Sequence, residues 1–207
     1  MGLFLSMSGV IGSNHIEVES ALRRFCDEKN GEFVKESLTT EDDCCLTICQ
    51  AVGGVTVLYP AEFYDWDESS QFFSMETGKP AFSFHIHDGD LWMFVLYQEG
   101  KVVDQFNPIP EYWKDVDAKE RQSWRGNAIE VAKRVPKLSP ESISKYLIPW
   151  DDEILESSER MKAYPDDKFY YGDDWQLTDF MKRLGLVYPL DDKGTPLGPT
   201  YRFRCES

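Results

Sequence analysis

Alternating apolar and polar positions between Pro80 and Pro108 predict two consecutive β-hairpins. The dipeptide Asp88-Gly89 supplies the positive φ angles that a two-residue primed turn requires. Glu99-Gly100 supplies the same signal for the next turn. The stretch therefore predicts three antiparallel strands in a row.

The first turn, if it has two residues, fixes which positions face each other. His87 then opposes Asp90, and His85 opposes Trp92. Because side chains alternate across a strand, one face is apolar and the other is half polar. The apolar face carries Phe82, Phe84, Ile86, Leu91, Met93 and Val95. The half-polar face carries Ser83, His85, His87, Asp90, Trp92 and Phe94. We expect the first face to be a core and the second to hold any functional site.

The chain before these hairpins alternates between helix and strand patterns. Asn14 and Glu17 have capping-box spacing, and the following apolar residues recur at helical intervals. Strands are expected on both sides of Gly53-Gly54, and a second helix from about Asp67 to Thr77. This order favours an α+β fold with a mostly antiparallel sheet and helices packed on one face, and it is compatible with a ferredoxin-like core.

The pattern becomes mainly helical and acidic after Pro108. We therefore divide the chain into an α+β sheet core, 1–108, and a helical acidic extension, 109–207, packed on the core as one globular unit. Helices are expected after Asn127 and after Asp174. The last residues, 200–205, are expected to form a short edge strand.

Net charge limits the possible partners. The 207-residue chain carries 37 acidic and 22 basic residues, a formal charge of −15. Nucleic acid is disfavoured as a partner because phosphate binding needs a cationic surface, and anionic membrane surfaces are disfavoured for the same reason. No apolar run reaches the ~20 residues of a membrane span. The charge favours a surface complementary to a basic protein.

Cysteine usage favours a cytoplasmic location. The chain has five cysteines, Cys26, Cys44, Cys45, Cys49 and Cys205. An odd number, with no signal-peptide pattern at the start of the chain, favours reduced thiols. We expect all five to be free, with Cys44, Cys45 and Cys49 mostly buried and no metal bound to them.

His85 and His87 are the strongest candidates for chemistry. They lie on one face of one strand, about 7 Å apart at Cα. Two imidazoles at this spacing can hold a metal with Asp88 or Asp90 as a third ligand, or can act with Asp90 in acid–base catalysis. The structural alternative is ordinary packing, with His85 on Trp92 and His87 paired to Asp90. No phosphate-binding or dinucleotide-binding motif is present, so we expect no cofactor.

A second candidate surface combines acids with aromatic rings, which suits capture of a cationic partner. Its members are Glu62, Asp65, Trp66, Asp67 and Glu68, beside Tyr59, Phe63 and Tyr64. The structural alternative is a helix that buries Phe72 and Phe73 while its acids face water.

These observations favour a soluble, cytoplasmic, non-enzymatic protein that binds another, basic protein in an immunity-like or inhibitor-like role. The first alternative is a small metal-dependent or acid–base hydrolase that uses His85, His87 and Asp90. The second is a small-ligand binding module on the same sheet face, with Trp92 and Phe94 as its walls. No motif is specific enough to indicate a family.

Overall fold

The chain folds around an eight-stranded sheet, seen in a computed structural model that describes residues 2–61, 63–156 and 160–205. The strands are β1 (Leu5–Ile11), β2 (Glu32–Lys35), β3 (Cys45–Gln50), β4 (Gly54–Leu58), β5 (Ala81–His87), β6 (Leu91–Gln98), β7 (Lys101–Phe106) and β8 (Thr200–Arg204). Their order across the sheet is β2-β8-β3-β4-β1-β5-β6-β7. Every neighbouring pair is antiparallel. The predicted α+β class with an antiparallel sheet is confirmed.

Six α-helices accompany the sheet in the described residues. They are α1 (His15–Glu28), α2 (Trp66–Thr77), α3 (Ala118–Ser123), α4 (Ala128–Ala132), α5 (Asp152–Leu155) and α6 (Gln176–Arg183). The predicted capping box starts α1. The Glu17 backbone amide donates to the Asn14 side chain, and the Asn14 backbone amide donates to the Glu17 carboxylate. Gly78 ends α2 in the left-handed conformation, with φ of 66°, which costs glycine little. Local signals therefore placed both long helices correctly.

The predicted register of the first hairpin is wrong by one residue. Asp88 and Gly89 do have positive φ, 55° and 75°, and the Asp90 amide donates to the His87 carbonyl at 3.0 Å. Strand pairing, however, begins with His87 opposite Leu91, so Asp90 stays in the turn. A one-residue shift moves every side chain of β6 to the other face.

This shift changes which side chains share a core. Trp92 and Phe94 join Phe84 on one face, whereas Met93 and Val95 lie across from His85 and Ser83 on the other. The second turn, at Glu99-Gly100, forms as predicted and pairs Tyr97 with Val102. A bulge between Leu96 and Tyr97 then places Leu96 opposite Asp104 instead of Val103.

Helices cover both faces of the sheet, not one face as predicted. The α1–α2 face is covered by the two long helices and includes Val10, Val55, Val57 and Ala81. The aromatic face is covered by α6 and its flanking loops and includes Phe82, Phe84, Trp92, Phe94 and Phe106. Phe180 of α6 stacks on Phe94, with ring centroids 5.4 Å apart and planes 5° apart.

The last strand, β8, is inside the sheet and not at its edge as predicted. It pairs with β2 on one side and with β3 on the other. A strand from the predicted extension thus completes the sheet formed by the first half of the chain. Among the described residues, no helix is both long and apolar enough to cross a bilayer.

Candidate functional site

The two candidate histidines lie on the α1–α2 face, where β5 approaches its end. Pairing between β1 and β5 sets Ser6 beside His85, and alternation brings His87 to the same face. Helix α2 begins at Trp66, whose indole stacks on the His85 ring with centroids 4.7 Å apart and planes 2° apart. Both imidazoles are half-buried. The predicted stacking of His85 on Trp92 is wrong, because the register shift puts Trp92 on the opposite face.

Six rings from four segments form a continuous surface that we call the aromatic–histidine patch. Its members are Phe4, Trp66, His85, His87, Tyr112 and Trp113. His87 is its centre, since Phe4 and Trp113 each approach its ring edge-on at 4.9 Å. Phe4 is 44% exposed and Trp113 is 50% exposed. The patch therefore reaches the protein surface, while Trp66 and Tyr112 also pack against the cores of the two faces.

Hydrogen bonds fix the tautomers of both histidines. The Trp113 indole Nε1–H, which can only donate, lies 3.2 Å from His87 Nε2. His87 must then carry its proton on Nδ1, which faces His85 Nε2 at 3.4 Å. His85 in turn carries its proton on Nδ1 and donates to Ser6 Oγ at 3.2 Å. Trp113 thus donates to His87, His87 to His85, and His85 to Ser6. We call this chain of three hydrogen bonds the relay.

Burial and, to a smaller extent, the neighbouring His87 together lower the pKa of His85 to about 4, against an opposing effect of a hydrogen bond with the Leu5 backbone. Loss of solvation disfavours a charged imidazole. His85 is thus neutral at neutral pH, as the relay requires. A histidine with so low a pKa is a weak general base.

A metal site would need a third ligand beside the two histidines. His85 Nε2 and His87 Nδ1 lie 3.4 Å apart. No group of three His, Cys, Asp or Glu side chains in the described parts of the chain is arranged to hold a metal ion. Asp90 instead accepts a hydrogen bond from the Tyr112 hydroxyl at 2.5 Å, which raises the pKa of Tyr112 to about 12.

The predicted acidic surface near the start of α2 is largely engaged inside the molecule. Asp67 accepts hydrogen bonds from the Ser83 hydroxyl at 2.7 Å and from the Tyr97 hydroxyl at 2.6 Å. Lys29 lies 2.6 Å from Glu68 and 3.5 Å from Asp65. Of this set, Trp66 alone joins the patch. The prediction for Glu62 falls outside the described residues.

Trp92 and Phe94 cannot form walls of a ligand site beside the histidines. Both side chains are completely buried on the aromatic face, where Trp92 also packs against Phe106 at 5.1 Å. The sequence pattern missed the two ends of the patch. Phe4 and Ser6 continue the alternation of β1, but Tyr112 and Trp113 come from the loop after β7 and carry no local signal of their position.

Asp88 and Asp90 add negative charge beside the patch. Both are exposed, and neither takes part in an ion pair within residues 2–61, 63–156 and 160–205.

Comparison of the chain with protein-family models, with curated proteins and with solved structures returned no match.

Proposed function

We propose that this chain is a cytoplasmic, non-enzymatic protein that binds a basic protein partner through the aromatic–histidine patch and the carboxylates of Asp88 and Asp90. The observation that carries the proposal is the patch itself, six contacting rings at the end of β5, of which Phe4 and Trp113 are exposed and the other four are half-buried. An immunity-like or inhibitor-like role is one instance of such a function.

The chemistry of the patch favours lysine and arginine side chains. Indole faces attract cations, and beside them stand two carboxylates that form no ion pair in the described part of the chain. Tryptophan and tyrosine are also the residues that most often dominate binding energy at protein interfaces. The net charge of −15 adds long-range attraction, which accelerates encounter with a basic surface.

The patch replaces the surface predicted from sequence. Lys29 already pairs with Glu68 and lies 3.5 Å from Asp65, and Asp67 accepts hydrogen bonds from the Ser83 and Tyr97 hydroxyls. Asp88 and Asp90 form no ion pair among the described residues, and Asp90 accepts one hydrogen bond, from the Tyr112 hydroxyl, so both carboxylates can still pair with a cationic partner.

A ferredoxin-like core belongs to the same proposal. The order β3-β4-β1-β5, with α1 after β1 and α2 after β4, supports it. In this arrangement β5 follows α2 directly, and the patch forms where the start of α2 meets the end of β5.

The test is capture of a partner by the immobilised chain from extracts of its own host, followed by kinetics with the purified pair. Trp113→Ala should weaken binding, and Asp90→Lys should slow association roughly tenfold or more at low salt. Association of the wild type should slow as salt rises, because screening shortens electrostatic attraction to about 8 Å at physiological ionic strength.

Two matched substitutions serve as controls. Asp192→Lys makes the same charge change at a side chain that is 100% exposed and belongs to no contact of the patch. Ile129→Ala removes an apolar side chain that is 57% exposed on α4. Both should bind as the wild type does. Loss of binding in the controls with retention in Trp113→Ala and Asp90→Lys would refute the proposed surface.

The contact between Ser6 and His85 favours one alternative, a hydrolase with Ser6 as nucleophile and His85 as base. The relay opposes it, since His85 donates to Ser6 and so offers no lone pair to take its proton. Ser6→Ala separates the two functions. A hydrolase would lose turnover with this substitution, whereas a binding protein would keep its partner, because the rings of the patch are unchanged.

A further inference from the structure

Two cysteines far apart in sequence meet at the end of α1. Cys26 is buried on that helix with 1% of its surface exposed, and Cys205 directly follows β8. Their sulfur atoms are 3.1 Å apart, against a disulfide bond length of roughly 2.05 Å. An approach of about 1 Å would therefore join them.

Gly31 makes this meeting possible. A Cβ atom at position 31 would lie 2.9 Å from Cys205 Sγ and 2.5 Å from the Arg204 carbonyl oxygen, too close for any other residue. The Gly31 amide also donates to the Cys26 carbonyl at 2.7 Å, which closes the end of α1. The close approach of the backbone at Gly31 thus brings the two cysteines into contact.

Cys205 is half-buried and borders an open surface cavity, whereas Cys26 is buried. Cys205 lines an open surface cavity of about 460 Å³, together with Cys44, Phe63 and Phe203. The hydrogen bond from Cys26 lowers the pKa of the Cys205 thiol, and the same contact together with burial raises the pKa of Cys26. Lys29 favours the Cys205 thiolate and Asp65 opposes it. Cys205 is the better nucleophile of the pair, because the thiolate is the reactive form.

We propose that Cys26 and Cys205 form a redox-active dithiol that low-molecular-weight disulfides oxidise to an intramolecular disulfide. The Cys205 thiolate attacks one sulfur of a disulfide R–S–S–R, which gives a Cys205–S–S–R mixed disulfide and releases RS⁻. Cys26 then loses its proton to solvent and attacks the Cys205 sulfur, which expels the second RS⁻. Both RS⁻ groups take up protons, so two protein thiols are oxidised while one R–S–S–R is reduced to two R–SH.

The bond would fasten the last strand to the first helix. Strand β8 lies between β2 and β3, so its release would split the sheet, and a covalent link from Cys205 to α1 prevents that release. Cross-linking of distant residues also restricts the unfolded chain. Oxidation should therefore stabilise the fold against unfolding at the β2-β8-β3 end of the sheet.

The test starts from the reduced 207-residue chain, in which all five thiols are free, and uses glutathione disulfide as the probe. We expect three free thiols after treatment, no retained glutathione, and a peptide map that links Cys26 to Cys205. The urea midpoint of the oxidised chain should exceed that of the reduced chain. Five remaining thiols, or a link through Cys44 instead of Cys26, would overturn the proposal.

Single substitutions identify the order of attack. Cys26→Ser should accumulate one glutathione on Cys205, because the resolving thiol is missing. Cys205→Ser should take up none at Cys26, and Cys44→Ser should still form the bond as the wild type does. Glutathione that stays on Cys44 in the Cys26→Ser variant would contradict the assigned nucleophile. The wild-type peptide map decides the proposal even if a variant folds poorly.

Discussion

The two faces of the sheet differ in how they use polar groups. On the aromatic face, Phe84, Phe94 and Phe180 pack with no polar side chain between their rings. On the α1–α2 face, hydroxyl groups run along the interface between the sheet and α2. Tyr59 shares hydrogen bonds with Ser8 at 2.8 Å and with Ser69 at 2.6 Å.

This polar line leads out of the core and ends at the aromatic–histidine patch. Along β5 the polar positions are Ser83, which donates to Asp67, then His85 and His87. Helix α2 begins beside His85, so it does not extend over the end of β5, and His87 lies at the surface. The aromatic face also buries polar groups, since the Trp92 indole donates to Gln176 at 3.3 Å and the Tyr146 hydroxyl donates to Asp167 at 2.6 Å, but these groups lie among fully buried rings. On the α1–α2 face the polar positions of β5 continue to the half-buried histidines at its end. We therefore expect the aromatic face to determine stability and the α1–α2 face to carry function.

Truncation on the aromatic face should have the largest effect. Phe84→Ala should lower the free energy of unfolding by roughly 3–5 kcal/mol, because Phe84 is completely buried and a cavity would remain. Urea denaturation measures this. Phe4→Ala is the matched control, since Phe4 is 44% exposed, and it should cost far less. Equal losses in the two variants would refute the contrast between the faces.

Acidification should destabilise the α1–α2 face through His85. Its pKa in the folded chain, about 4, lies below the ordinary value of 6.5, so the unfolded chain binds more protons between these pH values. The contribution of His85 is complete above pH 6.5, falls as pH decreases, and is lost below about pH 4. The loss is at most about 3 kcal/mol.

Comparison of the wild type with His85→Phe isolates this contribution. Asp104 and Asp174 act in the opposite direction, because burial raises the pKa of each to about 6 and their contribution grows as pH falls below that value. Both aspartates are present in the wild type and in His85→Phe, so their effects cancel when the two unfolding free energies are subtracted. Unfolding free energies that follow parallel pH curves in the two proteins would show that His85 is not responsible.

Removal of Asp67 should cost about 1–3 kcal/mol, because the Ser83 and Tyr97 hydroxyls would each lose an acceptor in a buried setting. Urea denaturation of Asp67→Ala gives the cost. Adding Tyr97→Phe and Ser83→Ala to this variant removes the unsatisfied groups and should recover part of the loss. A triple variant that is less stable by the full sum of the single changes would contradict the assigned hydrogen bonds.

Substitution of Trp113 should have the smallest effect on stability. Trp113→Phe keeps a ring on His87 but removes the indole donor, and an exposed substitution of this kind should change the unfolding free energy by no more than about 0.5 kcal/mol. Its effect should appear in the ¹⁵N spectrum of the imidazoles. We expect His87 to hold its proton on Nδ1 in the wild type and to mix tautomers in the variant. A wild-type protein in which His87 already shows both tautomers would refute the relay.

Local signals in the sequence were sufficient to predict those features that depend on interactions between residues close in sequence. The capping box of Asn14 with Glu17 and the positive φ angles of Asp88 and Gly89 depend on residues a few positions apart, and both formed as predicted. The candidate site was only half predictable. His85 and His87 share a face because alternation within one strand requires it, but Phe4 and Trp113 reach them only through pairing and loop packing across the fold.

The sequence by itself determined the class of the fold, the long helices, the positions of the turns and the nearness of the two histidines, because each follows from backbone preferences or from the repeat of a strand. Tertiary structure alone decided the register of β6, the burial of Trp92 and Phe94, and the ion pairs of Lys29 with Asp65 and Glu68. These depend on non-local packing: keeping Asp90 in the turn is a small local change, yet it moves every side chain of β6 to the other face. The chain can place two large aromatic residues in the core by that single shift, and burial of apolar area outweighs any local preference for a two-residue turn.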